Sequence, residues 1–247
     1  MRDQSGMGLS EVLISLFLAS LIMTTLIQLY LSNKRQYLEA QEILEANFDL
    51  QWVGDLLSDS IRRAGFTPCL GIDQLETTDT RNFGKRVASI KIESHPKQWI
   101  QINRMSEAFS EITHFQSPTQ IIVPSSTLFK EQHPLLIADC EHAEIHQILS
   151  VDKLANGYLI TLTQPLMYSY AATSYVGEWL EEKWFIKANA SGNKTMHYKL
   201  FQTEELTSLI HSFEIKNERV HEKQLVHIVL GLDKDKTHQL IVAVRGS

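Results

Sequence analysis

A chain of 247 residues, 43% apolar and 21% charged, has the composition of a folded protein and the length for one large or two small domains. Its net charge of −6 excludes the broad basic surface that nucleic-acid binding by the whole chain would need, which leaves nucleic acid an unsupported partner. There is no G-x-S-x-G, no glycine-rich phosphate loop and no paired-cysteine motif, so composition and motifs together point away from an enzyme and from a resident cofactor or metal.

The first six residues are polar and end at Gly6; an apolar run follows. From Val12 to Leu31 no residue is charged, and the only polar side chains are Ser15, Ser20, Thr24, Thr25 and Gln28. About twenty such residues cross a hydrocarbon core roughly 30 Å thick, so 9–31 is read as a transmembrane segment. A secretory signal places its small-residue cleavage site after the apolar core. Here Gly6 precedes the core, no A-x-A pattern follows, and a helical pattern continues without proline to Phe66. Glu11 lies at the entering end of this run, where an unpaired carboxylate costs a few kcal/mol, which makes it a functional candidate.

After the membrane run, Leu38, Leu44, Phe48, Trp52, Leu56 and Ile61 form an apolar stripe, expected to pack on the chain's own globular part. Gly65 and Pro68 end the helix. Two cysteines follow, Cys69 and Cys140; in an oxidising compartment the pair reads as one disulfide, with two separate buried thiols as the alternative. The polar stretch from Asp73 to Arg86 reads as a loop. Strand patterns are expected at Val87–Ile92, Trp99–Ile102, Thr119–Val123, Leu135–Ala138, Ala143–Val151, Tyr158–Leu162, Trp179–Ile186, Met196–Gln202, Leu209–Ile215, Leu225–Leu230 and Gln239–Val244, with turns at Asn156-Gly157 and Ser191-Gly192-Asn193. The fold class is α+β, with a long helix covering a mostly antiparallel sheet.

Two clusters stand out within the strands. His142, Glu144 and His146 line one side of a strand with period two, but HAEIH lacks the acid placement of a zincin helix, and an exposed polar strand face is the expected reading over a metal site. Tyr168, Tyr170, Tyr175, Trp179 and Trp184 crowd one stretch; core packing is favoured over a contact surface for other subunits.

Gly6, Met7, Leu9 and Glu11, the fifth residue counted from Met7, resemble the class III signal of type IV prepilins. That resemblance implies a leader 1–6, a long helix 7–66 and a β-rich head 67–247 outside the inner membrane. A prepilin peptidase would cut between Gly6 and Met7 and methylate the Met7 amine, and Glu11 would pair with the amine of a neighbouring subunit, setting axial register. Arg2 is offset by Asp3 while Lys34 and Arg35 follow the run, so the count of basic residues opposes this topology and the processing signal decides it.

Within the head, IRRAGFTPCLG, PLLIADCEHAEIHQILSV and MHYKLFQTEELTSLIHSFEIK are similar to stretches of PilW-type minor pilins, with Lys199 where an arginine is common. The function this implies is initiation of pilus assembly, with other minor pilins and the major pilin as partners and a place near the pilus tip, in support of adhesion, twitching motility or DNA uptake. A type II secretion pseudopilin of the J type shares every N-terminal feature, and a signal-anchored periplasmic binding protein or enzyme is the reading from a different class.

Overall fold

The computed structural model describes residues 8–82, 84–93, 98–125, 127–221, 223–232 and 236–245. It divides into two compact units, Met1–Gln51 and Trp52–Ser247.

The first unit is helical. Helix α1 runs over Leu9–Arg62, ending short of Phe66, while Met7, the expected first residue of the helix, lies outside the described residues. It is long and apolar enough to cross a membrane, and is therefore a candidate anchor or signal segment. Its polar residues do not spoil that property. The hydroxyls of Ser15, Ser20, Thr24 and Thr25 donate to carbonyl oxygens three or four residues back, which satisfies them without water. The expected stripe departs from its predicted role: Leu38, Leu44, Phe48 and Trp52 are exposed, and Leu44 and Phe48 retain 69% and 71% of their surface.

In the second unit the last turns of α1 bury Val53, Gly54, Leu57, Ser58, Ser60 and Ile61. Gly54 brings the helix backbone close to Leu240, where a Cβ would lie 3.7 Å from the leucine methyls. Gly65 has φ +71, and a Cβ there would sit 2.8 Å from Cβ of Ser89, so glycine both ends the helix and allows this approach. The chain then crosses β3, with Gly65 N–H donating to Asn103 and Met105 N–H donating to Phe66.

The main sheet is built around β9 (Tyr175–Ala188). Along one edge of β9 runs β3 (Trp99–Glu111), itself flanked by β2 (Ile90–Glu93); along the other lie first β6 (Pro134–Ala138) and then β10 (Lys194–Lys199), followed by β11 (Thr203–Thr207). β7 (His142–Leu154) has its first half between β6 and β1 (Glu76–Asp79), the latter parallel to it, while its second half pairs with β8 (Gly157–Leu162), then β5 (Gln120–Val123) and β4 (His114–Ser117). A separate antiparallel sheet holds β12 (Ile210–Val220), β13 (Lys223–Leu232) and β14 (Thr237–Ala243). All eleven expected strands are present, several of them longer. Three strands, β1, β4 and β11, were not expected, and β1 replaces part of the loop assigned to Asp73–Arg86. That polar stretch is covered: Thr77, Thr78, Asp79 and Thr80 are all buried. Its run of β-branched threonines is the strand signal that its polarity masks.

Period two assigns the faces of β9. Leu180, Glu182 and Trp184 lie with Ile100, Ile102 and Arg104 of β3 on the side that meets α1 through Ser60. Trp179, Glu181, Lys183, Phe185 and Lys187 lie on the opposite side. There the first half is covered by 72–93, with Ile72, Leu75, Val87, Met105, Ile145 and Trp179 packed into one core cluster.

Candidate functional sites

Gly6 and Met7, the expected cleavage and methylation residues, lie outside the described residues. Glu11 is described, and it is exposed. Its carboxylate accepts the Gly8 backbone N–H at 3.3 Å, while the Glu11 and Val12 N–H groups reach the Gly8 carbonyl at 3.0 and 3.4 Å. Gly8 is thus the helix cap and Glu11 its third helical residue, which supplies the return half of a capping box and holds negative charge at the positive end of the helix dipole. Among the described residues its side-chain contact is this local one.

Cys69 and Cys140 form a disulfide, with Cα atoms 5.3 Å apart. It ties the turn after α1 to the turn between β6 and β7.

The histidine–glutamate strand corrects the expected exposed face. Glu144 and His146 are fully buried, because β7 has neighbours on both edges and both of its faces are covered. His146 Nε2 meets Glu144 Oε2 at 2.8 Å, and His146 Nδ1 lies 3.4 Å from the Thr80 hydroxyl, which itself donates to the Ile145 carbonyl at 2.7 Å. Hydroxyl, imidazole and carboxylate stand in the order of a nucleophile relay, but Thr80, His146 and Glu144 are all closed to solvent, so no substrate reaches this hydroxyl. What the carboxylate does is hold a segment. Met167 N–H at 3.0 Å and Tyr168 N–H at 2.7 Å donate to Glu144, and Ala171 N–H donates to Asp139 at 3.1 Å, pinning 163–174 across the sheet. Burial alone would raise both carboxyl pKa values. The donated hydrogen bonds, from His146, Met167 and Tyr168 to Glu144 and from His142, Glu141 and Ala171 to Asp139, outweigh it and hold both below their ordinary values. Burial, with the Glu144 charge beside it, pushes the Tyr170 phenol well up. Among the described residues no cluster of three His, Cys, Asp or Glu side chains could hold a metal ion.

The aromatic stretch is mostly core. Trp179 and Trp184 are buried; Tyr168, Tyr170 and Tyr175 are half-buried and stack on His142, on Phe115 and edge-on against Phe109.

A network that the sequence did not reveal surrounds Arg81. Its guanidinium bridges Asp79 at 3.0 Å and Glu181 at 2.6 Å, and Trp179 Nε1 donates to the same Glu181 oxygen at 2.9 Å. Burial opposes the charge on Asp79, but the Arg81 and Asn82 donors hold its pKa below the ordinary range. The residues come from distant positions, so spacing carries no sign of their meeting.

No family model matches the chain, and no curated protein or solved structure is similar to it.

Proposed function

We propose that the chain is a minor pilin of the PilW type: a prepilin held in the inner membrane by 9–31, cut between Gly6 and Met7, and drawn into a pilus where it helps to initiate assembly near the tip. One observation carries this reading beyond a plain membrane anchor. A helix of 54 residues is about 80 Å long, against roughly 30 Å of hydrocarbon, and its apolar surface does not stop at the lipid boundary. Tyr37, Leu44, Phe48 and Trp52 recur at helical spacing on one face and stay exposed. An anchor has no use for them; a helix that leaves lipid to pack among neighbouring helices does. In this reading the exposed Glu11 pairs with the methylated amine of an adjacent subunit, each charge offsetting the cost of burying the other.

The deciding measurement is the intact mass of the N-terminal peptide from cells with and without prepilin peptidase. A peptide beginning at methylated Met7 only when the peptidase is present is the expected result; retention of Met1–Gly6 in both refutes the reading. With processing intact, Glu11→Val and the pair Leu44→Glu/Phe48→Glu should each leave membrane insertion normal and abolish recovery of the chain in sheared pili. Normal incorporation of either variant would remove the role given to that face.

A further inference from the structure

The half of the β9 face that 72–93 leaves uncovered carries its own chemistry. Across three adjacent strands Trp99, Phe185 and His197 stand directly opposite one another, and the next row is Gln101, Lys183 and Lys199. Of these residues Trp99, Lys183, Phe185 and Lys199, together with Lys187, line a cleft of about 440 Å³, within the size range of small-ligand pockets. Trp99 and Phe185 both line it. Phe185 lies against the His197 imidazole, ring centres 5.5 Å apart and planes 13° from parallel, which leaves its other face on the β3 side where Trp99 stands. Lys183 Nζ sits 4.2 Å from the Trp99 ring centre. Trp99 Nε1 is anchored by Glu93, so that carboxylate is engaged by the indole.

Three lysines line this cleft on a chain of net charge −6, and none is paired with a carboxylate among the described residues. Unpaired like charges at one cleft repel each other unless an anion joins them. An apolar floor excludes a bare ion as the best fit, because it offers a simple phosphate nothing. A sugar would need acceptors for its hydroxyls, whereas the charged groups that line the cleft are all donors. Flat aromatic walls beside cations fit a planar ring joined to a separate anionic group.

We propose that this cleft binds a nucleotide unit, its base entering between Trp99 and Phe185 and its phosphate held by Lys187 and Lys199. The unit can come from a free nucleotide or from a single strand of nucleic acid; the chemistry recognised is the same. This inference is independent of the assembly reading, since it uses only the second compact unit and none of the N-terminal helix surface.

The test uses the full-length protein in detergent, with a fluorescent oligothymidylate, thymidine monophosphate and inorganic phosphate as probes. Oligothymidylate should bind with an affinity that falls with salt at a log–log slope of about −0.7, the value for one neutralised phosphate on a single strand. Lys187→Glu/Lys199→Glu, two exposed positions that leave the fold intact by circular dichroism, should weaken binding at least tenfold. Trp99→Leu should weaken it about tenfold while leaving the salt slope unchanged, and Trp99→Phe should restore most of it. Competition by thymidine monophosphate identifies the free nucleotide as sufficient; binding of the oligomer without such competition identifies the single strand as the source. Absence of binding by both, binding indifferent to the lysine pair, or equal competition by inorganic phosphate or an acidic polysaccharide overturns the proposal.

Discussion

Glu182 shows how much one side chain decides. It is buried to 2% exposure on the α1-facing side of β9, where Ser60 donates to one carboxylate oxygen at 2.6 Å and Arg104 donates to the other at 2.8 Å. Burial and the Glu182 charge push the neighbouring Tyr198 phenol up to about 12. Ser60 ties its turn of α1 to the Glu182 carboxylate, and a shift by one residue along the helix would take the hydroxyl away from it. Glu182→Ala strands Arg104 and should cost about 3–5 kcal/mol in urea or guanidinium unfolding, whereas Glu182→Ala combined with Arg104→Met should recover most of that loss. A double variant as unstable as the single one would mean that the loss comes from the cavity and the broken Ser60 bond and not from a stranded Arg104. The sequence hides the network: Glu181 and Glu182 are adjacent and chemically identical, yet period two sends one to Arg81 and the other to Arg104 on opposite faces.

The segment 163–174 is an element without regular structure that two buried carboxylates hold in place. Both have folded-state pKa values below their ordinary 3.8 and 4.5, so folding favours their charged forms. Their contribution to stability is complete above about pH 5, begins to fade as the pH drops past those ordinary values, and is lost below the lowered values of the folded protein. The groups that face them are His142, His146, Tyr168 and Tyr170. Amide exchange at Met167, Tyr168 and Ala171 should therefore accelerate below pH 4 before the sheet amides do, and Glu144→Gln should flatten that dependence at Met167 and Tyr168. Uniform loss of protection across the sheet would assign the acid transition elsewhere. Elements with a clean period were readable from residues alone, as Tyr158–Leu162 and the long helix demonstrate. Those whose cover comes from elsewhere were not: β1 and the His142–His146 face look solvated until 163–174 and 72–93 are laid over them, and the apolar stripe from Leu38 to Trp52 looks like core although Leu38, Leu44, Phe48 and Trp52 are exposed. Periodicity reports that a face is apolar or polar; only tertiary structure reports what lies against it.

At the scale of the molecule, the disulfide is the covalent tie between the end of α1 and the middle of the main sheet. It closes a loop with a sequence separation of 71, which on the chain-entropy account stabilises the fold by about 4 kcal/mol. The same junction is also held without it. Arg245 N–H donates to the Arg62 carbonyl, Gly65 N–H to Asn103 and Met105 N–H to Phe66, so the helix exit is fixed to both sheets by backbone bonds before the cysteines meet. The native arrangement should therefore survive loss of the bond while its margin shrinks. Cys69→Ala/Cys140→Ala should retain the circular dichroism spectrum of the parent and lower Tm by about 10 °C, given roughly 2–4 °C per kcal/mol for a domain of this size. Loss of the folded spectrum at low temperature would show that the backbone junction forms only under the cross-link. An unchanged Tm would show that the unfolded chain is already held compact around this turn, so that the bond removes little of its entropy.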